Sequence, residues 1–226
     1  MTSANLRNVR KQRGWNQREV ARRLGVSQTL VSLWERGMRT VPAKRWHQLR
    51  QLGVEMNPAD LPMRDKMALG EVDYAQELSN LGYPGFAHFQ SGEPSWNPAQ
   101  LLVNALSERN LDRRVAEALP WLVLRYSGMD WEWMHHEAKL RNLQNRLGFT
   151  LALAKKLAVQ KQEQEVAARL GMQEESLRES LLAKEDTYCY ERMTQAERKW
   201  LQTRRSLDAA TWHVLSDLEP AYLTHA

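Results

Sequence analysis

The sequence NQREVARRLGVSQTLVSLWERG, residues 16–37, predicts two short helices joined by a tight turn. Asn16 and Glu19 have the spacing of a capping box, in which each side chain satisfies a backbone N–H of the first helical turn. Gly25 is the residue type that ends helices, because glycine adopts left-handed backbone angles without a steric penalty. Ser27 is a favoured N-cap for the second helix. Since only Gly-Val-Ser lies between them, the two helices must cross at a steep angle.

Further helices are predicted on both sides of this pair. Residues 5–13 form a helix that ends at Gly14, and a fourth helix opens at Pro42 and is closed by Gly53. The apolar side chains of each segment recur at helical spacing, so all four helices can share one core. Residues 1–61 therefore predict a small helical domain.

The outward face of the third helix is predicted to be exposed, and the major groove of B-DNA admits one α-helix. Glutamine can pair with adenine through two hydrogen bonds, threonine can donate to bases or touch a thymine methyl group, and leucine can make apolar contact only. We expect base contacts from Gln28, Thr29, Ser32 and Leu33. We expect phosphate contacts from the residues around them, namely Asn16, Gln17, Ser27, Arg36, Arg39 and Lys44.

Charge is divided unevenly along the chain, which has 226 residues and a formal net charge of +5. Residues 1–66 hold 14 Lys and Arg against 5 Asp and Glu, whereas residues 67–226 hold 18 against 22. A basic module attracts polyanions, and nucleic acid is the commonest of these. A solvated basic surface without a partner is the alternative, and the helical pattern favours DNA.

Residues 16–37 resemble the Xre/Cro/phage-repressor family of helix-turn-helix domains. The family framework TQxxLAxxLGVSxxxISxxExG is matched at Gln17, Val20, Ala21, Leu24, Gly25, Val26, Ser27, Val31, Ser32, Glu35 and Gly37. The resemblance implies that Gln17 anchors to phosphate and that the third helix faces bases. It also implies an ion pair between Arg10 and Glu35, which ties the first helix to the recognition helix, and a fifth helix after Asn57-Pro58. Leu33 departs from the family, whose members often carry a polar or basic residue there.

The rest of the chain predicts a second helical region. Residues 62–97 contain several prolines and glycines and predict a linker with a short helix and loops. In residues 98–226, apolar side chains recur at helical spacing and no strand-like alternation occurs. The expected fold class is therefore all-α, with a four- or five-helix Xre-type domain followed by a larger all-α domain for dimerisation or partner binding.

Three segments of the larger region carry a second resemblance. ALPWLVLRY (residues 118–126), DWEW (130–133) and LQNRLGF (143–149) look like regulators that pair an Xre domain with an all-α domain. Genes for such regulators commonly lie beside nucleotidyltransferase-like abortive-infection toxins. The resemblance implies an antitoxin or autorepressor of a toxin–antitoxin or phage-defence operon, with a cognate toxin protein as partner.

Other residues could suggest metal binding or stacking on bases, but the sequence favours these functions less. Glu132 and His136 share a helix face beside His135 and Glu137, but a metal needs three or four ligands and no second such cluster occurs. Tryptophans beside apolar helical stripes are usually core or interface rather than platforms for bases, and we expect this of Trp121, Trp131 and Trp133.

Cys189 is a lone thiol without an adjacent base, so a redox role is not favoured. EVAARLGM, residues 165–172, repeats EVARRLGV at 19–26 and could open a second helix-turn-helix. The helix expected after this repeat is acidic, however, and phosphate would repel it.

Together these features predict a transcriptional repressor, in its sharper form an antitoxin, that binds a palindromic operator on double-stranded DNA as a homodimer. A ligand-responsive regulator whose helical domain holds a small molecule is the alternative. No nucleophile–base pair, phosphate-binding glycine loop or metal-ligand spacing occurs, so neither an enzyme nor a cofactor is expected. The absence of a long apolar run, a secretory signal and a cysteine pair predicts a cytoplasmic protein without a membrane partner.

Overall fold

The computed structural model describes residues 2–42, 45–55, 57–64, 72–223 and 225. The chain divides into two compact units, Met1–Ala68 and Leu69–Ala226. Helices make up most of the described part of both units, and each of the two strands has two residues. The expected all-α fold class is confirmed.

The helices of the first unit are short and capped as their sequence predicts. They are α1 (Thr2–Gln12), α2 (Gln17–Leu24), α3 (Gln28–Glu35), α4 (Trp46–Gln51) and a 3-10 helix at Pro58–Asp60. The Asn16 side chain accepts a bond from the Glu19 N–H at 2.9 Å, and the Glu19 carboxylate accepts one from the Asn16 N–H at 2.8 Å. The chain then turns at Gly25, whose φ is +61°, and Ser27 caps α3.

Two boundaries differ from the expectation. Helix α4 begins at Trp46 and not at Pro42, whose carbonyl accepts a bond from the Arg45 N–H at 2.9 Å. Of the stretch in which a fifth helix was expected, the structure describes one 3-10 turn, Pro58–Asp60, and Pro62 follows that turn closely. Residues 65–71 lie outside the described residues.

One apolar core holds the first unit together. Its buried members come from all four helices and from the segments after them: Leu6, Val20, Ala21, Leu24, Val31, Trp34, Val41, Trp46, Leu49, Val54 and Leu61. Helix α3 contributes Val31 and Trp34, which are almost fully buried. Since α3 turns these side chains inward, its opposite side faces solvent.

The second unit is built from eight α-helices and two short 3-10 helices among its described residues. The α-helices are α5 (Tyr74–Asn80), α6 (Pro98–Ser107), α7 (Arg113–Arg125), α8 (Trp131–Arg141), α9 (Gln144–Gln160), α10 (Gln164–Arg178), α11 (Gln195–Arg204) and α12 (Leu207–Thr211). The 3-10 helices are Pro84–Phe89 and Pro220–Tyr222. Strands β1 (Asp186–Thr187) and β2 (Val214–Leu215) pair in parallel, with Asp186 opposite Val214.

Helix α9 is the centre of the second unit and packs against α7 and α10. Its first eleven residues are all buried, which is the pattern of a helix surrounded by protein on every side. The helix continues through Gly148, where an added Cβ would lie 2.2 Å from the indole ring of Trp212. Gly148 therefore leaves space for a neighbouring aromatic ring and does not break the helix.

Arg146 of α9 joins distant parts of the second unit. Its guanidinium donates to the two carboxylate oxygens of Asp186 at 2.7 and 2.9 Å and to the carbonyls of Leu106 and Glu108, each at 2.9 Å. Burial lowers the pKa of Arg146, but the hydrogen bonds to Asp186 and the negative charges of Asp186 and Glu191 together outweigh that effect and raise it. The end of α6, the start of α9 and β1 are thus held together by one charged side chain.

The segment expected to be a linker is largely part of the second unit. The unit begins at residue 69, and Leu78, Phe86 and Trp96 are buried in it. The Tyr126 hydroxyl of α7 donates to the carbonyl of Leu81 at 2.9 Å. These aromatic and apolar side chains bury enough surface to fold the segment, although its prolines and glycines interrupt regular helices.

The repeat at residues 165–172 does not form a second helix-turn-helix. Helix α10 runs without a break from Gln164 to Arg178, so Gly171 lies inside a helix and no turn follows it. A helix-turn-helix needs a sharp change of direction at this point.

Candidate nucleic-acid interface

Helix α3 presents the four residues that were expected to read bases. Gln28 and Thr29 are exposed, and Ser32 and Leu33 are partly exposed. The Ser27 hydroxyl accepts a bond from the Leu30 N–H at 3.2 Å, which fixes the start of the helix. The local signals that form α3 therefore also decide which of its side chains are available to a partner.

Arg10 and Glu35 form the expected ion pair. Arg10 Nε lies 2.5 Å from Glu35 Oε1, and Arg10 Nη2 lies 3.0 Å from Oε2. The Glu35 side chain is 3% exposed and that of Arg10 is 15% exposed. Arg10 also donates to the carbonyl of Trp15 at 3.1 Å. The end of α3 is thereby tied to α1 and to the chain that leads into α2.

The environment of Glu35 keeps it ionised. Burial on its own would raise the pKa of this carboxyl, but hydrogen bonds from Arg10 and Gln17 and the positive charges of Arg10 and Arg7 together outweigh burial and lower it. Its hydrogen bond to Glu35 raises the pKa of Arg10 in turn. The pair therefore stays charged at neutral pH and acts as a structural clamp on the recognition helix.

The side chain of Gln17 also bonds to the Arg10–Glu35 pair. Gln17 Nε2 donates to Glu35 Oε2 at 3.0 Å, which uses one of the two N–H donors of the amide predicted to contact phosphate. Gln17 is also the first residue of α2, where the backbone N–H groups of a helix have no intrahelical partner. The predicted phosphate contact at Gln17 can therefore use the second amide N–H or the backbone N–H at the positive end of α2.

The other residues expected at phosphates lie in three different settings. A side-chain oxygen of Asn16 caps α2, and the hydroxyl of Ser27 caps α3. Arg36 is exposed, and its Nε donates to the carbonyl of Ser32 at 3.3 Å. Arg39 is exposed beyond the end of α3. Lys44 lies outside the described residues.

Two arginines near α3 were missed by the sequence interpretation. Arg18 of α2 donates from Nε to the Oε1 of Gln28 at 3.1 Å. Arg45 donates from Nη1 to the carbonyl of Leu24 at 2.8 Å and to Gln48 at 2.7 Å, and so caps the end of α2. One signal marks Arg18 in the sequence: a cation in the first turn of a helix opposes the helix dipole.

The second unit contains the histidines and tryptophans for which more specific interpretations were considered. Among the described residues, no group of three or more His, Cys, Asp and Glu is placed to hold a metal ion. Burial lowers the pKa of His135. Trp121 and Trp131 are buried, Trp133 is partly buried, and the Trp131 indole donates to the carbonyl of Ser127 at 2.9 Å.

Comparison with known proteins assigns most of the first unit to a family. Residues 6–49 match the family model described as Helix-turn-helix, a range that runs from α1 into α4. No curated protein and no solved structure matches the chain. In the part of the chain that the structure describes, no helix has the length and apolar character needed to cross a membrane. The first unit is a helix-turn-helix domain, and the protein is a DNA-binding transcription regulator.

Proposed function

We propose that this protein is a sequence-specific repressor that binds a palindromic operator as a homodimer and serves as the antitoxin or autoregulator of a toxin–antitoxin or phage-defence operon. The exposed pair Gln28 and Thr29, on a helix whose other side is buried, carries the proposal. Amide and hydroxyl groups at the start of a recognition helix can distinguish base edges. The basic balance of residues 1–66 supplies attraction to phosphate at any sequence.

The homodimer follows from the small footprint of one helix-turn-helix domain. One recognition helix reads about half an operator, and two related by a twofold axis read half-sites about 10 bp apart. The second unit, which is much larger than the DNA-binding unit, is the proposed site of pairing between copies.

A surface groove in the second unit supports the proposed toxin partner. It has a volume of about 450 Å³ and includes Trp200, which is 51% exposed, and Tyr190, which is 43% exposed. Exposed aromatic residues in a groove are typical anchors for partner proteins. The segments that resemble toxin-linked regulators lie on α7, α8 and α9 in the same unit.

The first experiment is selection of bound duplexes from a random DNA pool. We expect a palindromic consensus for the natural protein and loss of preference at one position of each half-site for Gln28→Ala. Gln12→Ala is the matched control, because Gln12 is an exposed glutamine on α1, outside the recognition helix. Enrichment of salt-sensitive general binding alone would contradict sequence-specific repression.

Phosphate contacts need a separate readout. We expect Arg39→Ala to weaken binding to all duplexes alike and to reduce the salt dependence of affinity by about one ion. Lys11→Ala, an exposed change on α1, is the control for loss of charge alone. If Arg39→Ala instead changed the consensus, Arg39 would be a base-reading residue.

The antitoxin role is tested by coexpression with the product of the adjacent reading frame. We expect the natural protein to restore growth and to copurify with that product, and Trp200→Ala to weaken both effects. Leu207→Ala is the matched control, since Leu207 is 80% exposed but does not line the groove. Equal growth with and without the natural protein would contradict the antitoxin role.

A ligand-responsive regulator is the second candidate, and a cavity of about 680 Å³ in the second unit favours it. Aromatic side chains (Tyr74, Phe86 and Phe89) and the charged Glu108 and Arg114 line this cavity. Its size and mixed lining suit a small molecule. A metabolite that raises the melting temperature of the natural protein but not of Phe86→Ala would support this candidate over the antitoxin.

We also propose that the chain is not an enzyme. Burial raises the pKa of the Cys189 thiol to about 12, which makes it a poor nucleophile at neutral pH. Turnover that disappears on substitution of Glu132, His135 or His136 would contradict this proposal.

A further inference from the structure

The hydrogen bond between Arg18 and Gln28 connects the two helices of the helix-turn-helix on their exposed side. Arg18 is the second residue of α2 and Gln28 is the first residue of α3. Arg18 Nε lies 3.1 Å from Gln28 Oε1, and both residues are exposed. Arg18 therefore stands beside the first residue expected to read a base.

This contact sets the direction of the Gln28 amide. Since the carbonyl oxygen accepts from Arg18, it is turned toward α2, and the NH₂ group on the other side of the amide carbon is turned away from Arg18. A guanidinium has donors only, and Arg18 uses Nε for Gln28, which leaves its two terminal nitrogens. The pair consequently presents hydrogen-bond donors from both side chains.

A face of donors matches one base better than the others. The major-groove edge of guanine offers two acceptors, O6 and N7, whereas adenine offers one acceptor and one donor. The two-bond pairing of glutamine with adenine uses the amide oxygen as an acceptor. In this protein that oxygen is turned toward α2 and accepts from Arg18, whose remaining N–H groups add donors beside the amide. The pair therefore matches the two acceptors of guanine better than the mixed donor and acceptor edge of adenine.

The position of Arg18 in α2 shows that helix stability is not the reason for its presence. The first turn of a helix favours anions, and Glu19 follows this rule as part of the capping box. Arg18 violates it in the same turn. The bond to Gln28 also holds the long arginine side chain in place before DNA arrives, which reduces the entropy lost on binding.

We propose that Arg18 is a specificity-determining residue, which directs the Gln28 amide so that the pair selects guanine over adenine at one position of each operator half-site. The inference rests on the operator binding proposed above. It also replaces the expectation that Gln28 pairs with adenine through two hydrogen bonds.

The test compares four duplexes that carry each base pair in turn at the position degraded by Gln28→Ala. For the natural protein we expect guanine to bind at least tenfold more tightly than adenine. For Arg18→Met, which keeps the aliphatic stem and loses the guanidinium, we expect the ratio to fall below about threefold. We expect Gln28→Ala and the double variant to show the same loss as each other, because the two residues act as one unit.

Salt titration and folding controls separate the other roles of Arg18. If Arg18→Met weakened binding to all four duplexes equally and reduced the salt dependence, Arg18 would be a phosphate contact and the inference would be overturned. An unchanged preference would overturn it as well. A natural protein that selects no consensus refutes the proposed operator binding together with the inference, whereas a consensus indifferent to Arg18 refutes the inference alone. Circular dichroism of Arg18→Met should match that of the natural protein, since Arg18 is exposed.

Discussion

Removing the positive partner of the Arg10–Glu35 pair should destabilise the DNA-binding unit strongly. Arg10→Met keeps most of the side-chain volume but leaves the Glu35 carboxylate, whose side chain is 3% exposed, with Gln17 as its partner. Breaking a buried pair by removing one partner costs about 3–5 kcal/mol. Because Arg10 is 15% exposed and Gln17 still donates to Glu35, we expect the lower end, about 3 kcal/mol.

The assay must report the first unit separately from the second. Hydrogen exchange followed by mass spectrometry on the full chain gives protection for α1 and α3 and for α9 in one experiment. A loss of about 3 kcal/mol corresponds to a fall in protection of about a hundredfold, since about 1.4 kcal/mol is a factor of ten. Protection of α9, which belongs to the other unit, should stay the same and serves as the internal control.

The stability of Arg10→Met should change with pH in a direction that other causes of destabilisation would not reproduce. In the natural protein the pKa of Glu35 is lowered on folding, so its contribution is full above the ordinary pKa of glutamate, about 4.3, and is lost as pH falls through the lower folded value. In Arg10→Met burial dominates and the pKa of Glu35 should lie above the ordinary value. Protonation should therefore stabilise this variant as the pH falls from 7 toward 5.

Two results would refute this reasoning. Equal protection of α1 in Arg10→Met and in the natural protein would show that the pair contributes nothing to stability. A variant that stays fully folded but prefers a different DNA sequence would show that the pair takes part in base reading. The double variant Arg10→Met with Glu35→Gln should be more stable than Arg10→Met alone, since it carries no buried unpaired charge.

Three further predictions concern single positions. Gly148→Ala should lower the stability of the second unit by about 2 kcal/mol in urea unfolding, because the added methyl would overlap the indole of Trp212, and Trp212→Phe should relieve part of the loss. Gly25→Ala should cost about 1 kcal/mol in thermal unfolding and Gly25→Asn less, since φ there is +61° and an added Cβ meets no atom within 4 Å, so the backbone angle alone is responsible. Cys189 should resist alkylation by iodoacetamide at pH 8 in the folded protein and react in urea, because its pKa is raised by burial; rapid reaction of the folded protein would show that the site opens.

Much of the DNA-binding unit follows from rules that act over a few residues. A cap bonds to a backbone group three residues away, as Asn16 does with Glu19, and a left-handed turn needs glycine at Gly25 itself. Helical periodicity places Val31 and Trp34 on one side of α3 and leaves Thr29 on the other. These features need no knowledge of the remaining fold, so the recognition helix and its exposed side could be predicted.

The roles of several polar side chains depend on neighbours far along the chain. Gln17 is predicted to contact phosphate, and its hydrogen bond to Glu35, 18 residues away, was not foreseen. No role was predicted for Arg18, yet it contacts the first residue of α3. A side chain with several donors can serve many partners, and its choice is settled only when packing fixes which acceptors come within about 3 Å.

The sequence by itself determined the helical class, the caps and turn of the DNA-binding unit, the buried side of α3 and the residues left for DNA. The tertiary structure alone decided that the chain from residue 69 belongs to the second unit, that β1 and β2 pair, and that Gly148 receives an indole ring. Local propensities act within about one helical turn, whereas pairing of two-residue strands and the burial of Phe86 or Trp96 depend on surfaces that distant segments supply. Short irregular segments have too little periodicity for their burial to be predicted from the sequence. They fold because the helices around α9 cover them.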